Sequence, residues 1–169
     1  MVDYQLLVDR FKSDVLSFSS INKKQGMTNE SFILLEKSLI KNFAMKDCFL
    51  FRVSHDVLKP NFKEYKFSFE LTFSEVQPYL NGQQVIEIPD VFSAYSYFQH
   101  YTHAVPLMVE EEILAILIFS YEDATLQVNL TQEMVKEISS VYRFILRSYE
   151  VHSNENKYRK LYNITDLSH

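Results

Sequence analysis

The stretch "YSYFQHYTH" gathers Tyr95, Tyr97, Phe98, His100, Tyr101 and His103 within nine residues. Aromatic faces and imidazoles this close together are the chain's best material for the wall of a small-molecule pocket. Imidazole is also a common metal and haem ligand, so His100 and His103 are the pair to weigh first. Their spacing argues against a metal. No second pair of His or Cys residues completes a structural zinc set, and a His-x-x-His running into a strand need not aim both rings at one point. Ordinary packing with a surface imidazole explains the same residues. Neither metal nor haem nor any other cofactor is assigned.

Arg52 is the second candidate, because it follows Phe51 and interrupts the apolar run "DCFLFRV". Its fork of five donors suits the carboxylate of a ligand, or equally a structural carboxylate on a covering helix. Phe51, Arg52, Tyr97, Phe98, His100, Tyr101 and His103 together form the candidate pocket set. Cys48 has no partner for a disulfide or a thiolate cluster and reads as a small buried hydrophobe. Glu110, Glu111 and Glu112 read as a hydrated hairpin tip. No nucleophile motif, phosphate loop or paired catalytic carboxylate stands out, so no residue is given a catalytic role. With two glycines in 169 residues, a cradle of backbone amides for phosphate is hard to assemble.

The elements that must position these residues are legible in the hydrophobic periods. Tyr4, Val8, Phe11, Val15 and Phe18 alternate steps of four and three, the seam of an amphipathic helix. After the loop "NKKQGM", Thr28 offers a cap for a second helix with Phe32, Leu35 and Leu39 on its apolar side. From Asp47 the period falls to two: Phe49, Phe51 and Val53 alternate with Cys48, Leu50 and Arg52. Beyond the breaker "KPN", Tyr65, Phe67 and Phe69 predict a second strand. "FSEVQPYLNG" predicts a short helix capped by Ser74, "QQVIEIPD" a strand, and "VFSAYSYFQHY" a short helical or irregular piece. "THAVPLMVEEEILAILIFSY" predicts a hairpin. Met134, Ile138, Val141 and Ile145 mark a long closing helix. Strands that follow one another without long crossovers favour an antiparallel sheet in an α+β fold.

Composition sets the outer limits. At 47% hydrophobic and 15% aromatic, the chain suits one globular domain with a substantial core. Its net charge is −5 and its 17 basic residues are scattered, which excludes the basic stripe of a nucleic-acid binder. The longest apolar run, Ile113 to Phe119, is too short to span a bilayer, and the first residues lack the apolar core of a signal peptide. The expectation is a soluble, cytoplasmic domain without membrane insertion.

Three pieces of the sequence resemble the GAF family of sensor domains: "YLNGQQVIEIPDV", "HAVPLMVEEEILAILIFSY" and "NLTQEMVKEISSVYRFI". The likeness runs from Tyr4 to Val151. It implies a GAF-like, PAS-related antiparallel sheet of five or six strands with helices packed on it and long N- and C-terminal helices. Ala115 stands where that family often has glycine, and the glutamates replace its usual glycine turn, so a bulged hairpin is expected. The cyclic-nucleotide signature of the family is not recognisable. A lone Cys48 does not support the disulfide cycle of members that reduce free methionine sulfoxide, nor is it in the right strand for bilin attachment. The resemblance therefore implies a non-catalytic regulatory domain at residues 1–151, of bacterial signalling type. Its outputs would be GGDEF diguanylate cyclases or histidine kinases. Val8, Phe11, Val15, Met134, Ile138, Val141 and Ile145 are the positions expected to join two copies as a homodimer. Residues 152–169 read as a helical linker or the start of a following domain, with the chain cut at His169. A small-molecule sensor predicts an open pocket. A ligand-free dimerisation or interaction module predicts one filled by side chains.

Overall fold

The computed structural model describes residues 3–21, 29–60, 70–121 and 130–167, with the side chains of 18–21, 29 and 151–167 outside the description. The order is α1 (Tyr4–Ile21), α2 (Asn29–Asn42), β1 (Met45–Ser54), β2 (Val57–Pro60), α3 (Phe73–Val76), β3 (Ile86–Glu87), β4 (His103–Val109), β5 (Glu112–Tyr121) and α4 (Gln132–Leu167). The strands form one antiparallel sheet in the order β2-β1-β5-β4-β3. This is the α+β architecture expected from the sequence.

The sheet is apolar on both faces at its centre, because alternate residues of β1 and β5 are hydrophobic in both registers. Leu50, Val105, Leu107, Leu117 and Phe119 face the helices. Phe49, Phe51, Ala104, Ile116 and Ile118 face the opposite way, beneath Phe92, Phe98 and Tyr101. On the helical side α2 lies on β1 and α4 on β4, while α1 packs on those two helices. Phe11 of α1 meets Phe43 at 5.7 Å between ring centres. All of Val8, Phe11, Val15, Met134, Ile138, Val141 and Ile145 are buried in this core. The seam read as a meeting place for two copies is thus accounted for within one chain: two amphipathic helices stacked over a sheet need the same stripe that a dimer would.

Several elements differ from their expected form. β2 occupies "VLKP", whose last two residues belong to the "KPN" read as a breaker. Pro60 is tolerated because it ends an edge strand, where a missing N–H leaves no gap in a ladder. The strand expected over Tyr65, Phe67 and Phe69, and the loop "NKKQGM", lie outside the described residues. β3 is only two residues long. In α3 the cap is Thr72 rather than Ser74: the Thr72 N–H donates to Glu75 at 2.9 Å, while the Ser74 hydroxyl donates to Asp56 at 2.8 Å. "VFSAYSYFQHY" forms two 3-10 turns, Asp90–Ala94 and Ser96–Phe98.

The β4–β5 hairpin is bulged, as expected, with Leu107 opposite Ala115 and Met108 opposite Ile113. Its turn holds Glu110 at φ 53° and Glu111 at φ 69°. Two left-handed residues in a two-residue loop are the geometry that Asn-Gly adopts with least strain. The pair Arg143–Glu110 is long, at 3.8 Å, and Glu110 is exposed, so it offsets little of that cost. The double change Glu110→Asn, Glu111→Gly is expected to stabilise the fold by about 1–2 kcal/mol. Urea denaturation of the two proteins, at unchanged m-value, checks this.

Candidate functional site

On the face away from the helices, β1 presents Phe49 and Phe51 to the 3-10 turns that follow β3. The turn Ser96–Phe98 drives Phe98 between them, 5.1 Å from Phe49 and 5.3 Å from Phe51 between ring centres. Phe92 closes on Phe51 at 5.5 Å. Phe51, Phe92 and Phe98 are at most 1% exposed. Edge-on and tilted rings at these separations are the favoured packing of aromatic quadrupoles. Among the described residues, Phe51 and Phe98 are thus the filling of this face rather than the wall of an open pocket. Tyr97 sits on the rim, 44% exposed, with its ring edge-on to Phe98.

A carboxylate that sequence reasoning passed over organises the polar end of this face. Asp47 Oδ2 accepts the Tyr101 hydroxyl at 3.1 Å and pairs with His100 Nε2 at 3.1 Å. Its Oδ1 accepts the Cys48 N–H at 2.8 Å. The register shift between Met45 and Asp47 turns this side chain to the aromatic face. The available signal was a lone acid opening an apolar strand. Its cross-strand neighbour Ser120 buries a hydroxyl that has no hydrogen-bond partner. Burial and the Asp47 charge together hold the Tyr101 proton far above the usual phenol range.

Arg52 and His103 lie on the helical face. Arg52 shares the side of Leu50, and its Nη2 is 3.2 Å from Glu150 Oε1 of α4, the structural pairing that the sequence left as one of two readings. His103 is the cross-strand partner of Phe119 and stacks on it at 5.5 Å and 18°. His100 and His103 are therefore not brought together: one serves Asp47 on the aromatic side, the other lies against the helix-facing Phe119. Thr102 Oγ1 is 2.7 Å from His103 Nδ1 and donates toward the Phe119 carbonyl at 3.4 Å. Burial pulls the His103 imidazole below its ordinary pKa, with Glu87 opposing, so the ring is neutral at pH 7. His103 also lines a groove of about 530 Å³ between β3, the end of β5 and the start of α4.

The other displaced titration is at the α2–β1 contact. Glu36 is half-buried as a residue, but its carboxyl is pushed up to about 8 by burial. The Leu50 N–H opposes the shift and the Asp47 charge adds to it. Burial likewise keeps the Cys48 thiol protonated, which makes it a poor nucleophile. Among the described residues no group of His, Cys, Asp and Glu is placed to hold a metal ion, and no helix is long and apolar enough to cross a membrane.

Comparison with solved structures places this arrangement. The chain is similar to the GAF domain of A. aeolicus Nlh2 in an inactive state, with a TM-score of 0.52 and 14% identity over 83% of this chain and 98% of that one. It is also similar to a methyl-accepting chemotaxis protein, at a TM-score of 0.46 and 14% identity over 79% and 98%. A third similar structure is fRMsr of Staphylococcus aureus in complex with substrate, at 0.49 and 12% over 86% and 97%. No family model and no curated protein matches the sequence. The fold is GAF-like.

Two measurements test the site as described. Phe98→Ala is expected to cost about 3–5 kcal/mol of stability, the range for truncating a fully buried ring, whereas Tyr97→Ala on the rim costs under about 1 kcal/mol. Chemical denaturation separates the two. Between pH 4.5 and about 8 the folded state keeps the Glu36 proton that the unfolded state has released. The stability from this group is therefore complete below pH 4.5 and declines as pH rises toward 8, by about 1.4 kcal/mol per unit at most. Glu36→Gln is expected to flatten that decline in melting curves taken across the window.

Proposed function

We propose that this domain is a non-catalytic regulatory module of GAF-like fold that acts through its closing helix on a domain beyond it. The face that a small-molecule sensor would keep open is packed with the chain's own rings, which favours the version with a side-chain-filled pocket. The observation that carries the reading is the course of α4. Its first turns lie on the sheet, with Met134, Ile138, Val141 and Ile145 in the core, and it runs on as one helix to Leu167. Thirty-six residues at 1.5 Å each make a helix of about 54 Å, of which the first turns lie on the sheet.

Besides its apolar packing and the long Arg143–Glu110 pair, two closer polar contacts tie α4 to the sheet. Near its start the Ser139 hydroxyl donates to the Val135 carbonyl at 2.7 Å and accepts the Met108 N–H at 3.2 Å. Farther along, Arg52 of the central strand β1 pairs with Glu150. Arg52 thus contributes to control of the helix rather than to ligand capture. A shift in β1 alters the support of α4 near the point where the helix passes out of the described core.

Hydrogen exchange of the whole chain tests this. Arg52→Ala is expected to speed amide exchange along α4 from Ile145 onward. Global stability should move by no more than about 1 kcal/mol, since the pair is part-exposed. The charge-reversed pair Arg52→Glu with Glu150→Arg should restore the original protection. Unchanged exchange along α4 in Arg52→Ala would sink the reading of a strand-coupled arm.

A further inference from the structure

The groove beside His103 lies on the opposite side of the sheet from the aromatic filling, and no function described above uses it. Its volume, about 530 Å³, falls within the range of small-molecule sites. Val85 and Leu130, which pack on the helical side of the sheet, supply apolar wall. Glu87 is the cross-strand partner of His103 on the outermost strand, so the carboxylate and the imidazole stand side by side. Glu87 is exposed, and among the described residues no hydrogen bond or ion pair engages its carboxylate.

The chemistry of the lining selects the charge of its occupant. Among the described residues that line it, Glu87 is the one formally charged group, with His103 neutral, and no lysine or arginine is there to hold an anion. The start of α4 does not reverse this. There the Met134 N–H donates to the Thr131 hydroxyl and the Val135 N–H to the Thr131 carbonyl, and Glu133 adds a carboxylate in the first turn. The hydrogen bonds around His103 add an acceptor. If Thr102 donates to the Phe119 carbonyl, it must accept from Nδ1–H, which leaves Nε2 of the neutral ring as the lone-pair nitrogen. Tyr121, edge-on to His103 at 5.2 Å, brings an aromatic ring of the kind that attracts cations.

We infer that this groove is a binding site for a small organic amine, with Glu87 as the counter-charge and the amine's apolar body against Val85 and Leu130. Binding here does not require α4 to act as an output arm, so the two readings stand or fall separately. The probes are benzylamine, its neutral isostere benzyl alcohol and the anion benzoate, followed by NMR of the intact chain at neutral pH. Benzylamine is expected to shift the resonances of His103, Glu87 and Gln132 with a millimolar Kd, and benzoate to shift none of them. Glu87→Gln, an exposed change that leaves the fold intact, should weaken benzylamine by up to about fivefold, the equivalent of 1 kcal/mol for a solvent-accessible ion pair. The inference is overturned if benzylamine leaves the groove resonances unmoved, if benzoate binds as well, or if Glu87→Gln binds benzylamine as tightly as the parent.

Discussion

Everything in this fold follows from a sheet whose central strands are dry on both sides. From Ala115 to Ser120 every residue of β5 is buried, and Cys48 to Phe51 of β1 are buried beside it. A sheet with one wet face needs a single cover. This one needs two, and the chain builds them from different material. The helical cover comes from the amphipathic stripes of α1, α2 and α4. The other, among the described residues, offers only α3 and short 3-10 turns, and it is filled by large rings that bury much area per residue, Phe92 and Phe98 foremost.

Polar groups are kept at the margins of these two cores and are mostly paired there. Asp14 receives the Asn42 side-chain amide at 3.1 Å where α1 meets α2. Asp47 serves the Tyr101 hydroxyl and His100 where the aromatic face opens to solvent. Two places break the rule. The Ser120 hydroxyl is buried without a partner, a defect worth about 1–3 kcal/mol. The Glu36 carboxyl is held in the low-dielectric contact between α2 and β1, where it keeps its proton well above the ordinary range.

The same two-sided dryness decides what the sequence disclosed. Helix stripes are plain in a linear pattern, so α1, α2 and α4 begin close to their expected positions. Alternation in β1 shows that Arg52 shares a face with Cys48 and Leu50, but not which face the helices cover, because both registers are apolar. Only the fold resolves that, and it puts Arg52 on α4. The His-x-x-His spacing misleads for a related reason. The chain passes from a 3-10 turn into a strand between the two residues, so local spacing no longer predicts common direction. Asp47 was hidden by the register shift that reorients it, and β2 by a proline that an edge position tolerates.

The bulge in the β4–β5 hairpin ties these threads to the closing helix. One extra residue in β5, Leu114, shifts the register between Leu107 and Met108. The Met108 N–H is directed to the Ser139 hydroxyl of α4. That hydroxyl also donates to the Val135 carbonyl of its own helix, so it faces a strand donor and a helix acceptor at once. Sliding α4 along β4 by one residue would carry Ser139, together with its Val135 acceptor, away from Met108 and leave that part-buried N–H without its partner, at a cost of about 1 kcal/mol. The helix is therefore held in register by a defect in the sheet, not by apolar contact alone, which by itself is non-directional. A helix fixed in this way near its start resists sliding more than it resists tilting. The second contact, Arg52 to Glu150, lies about three turns beyond that fixed point, where a small angular change displaces the helix more than it does at Ser139.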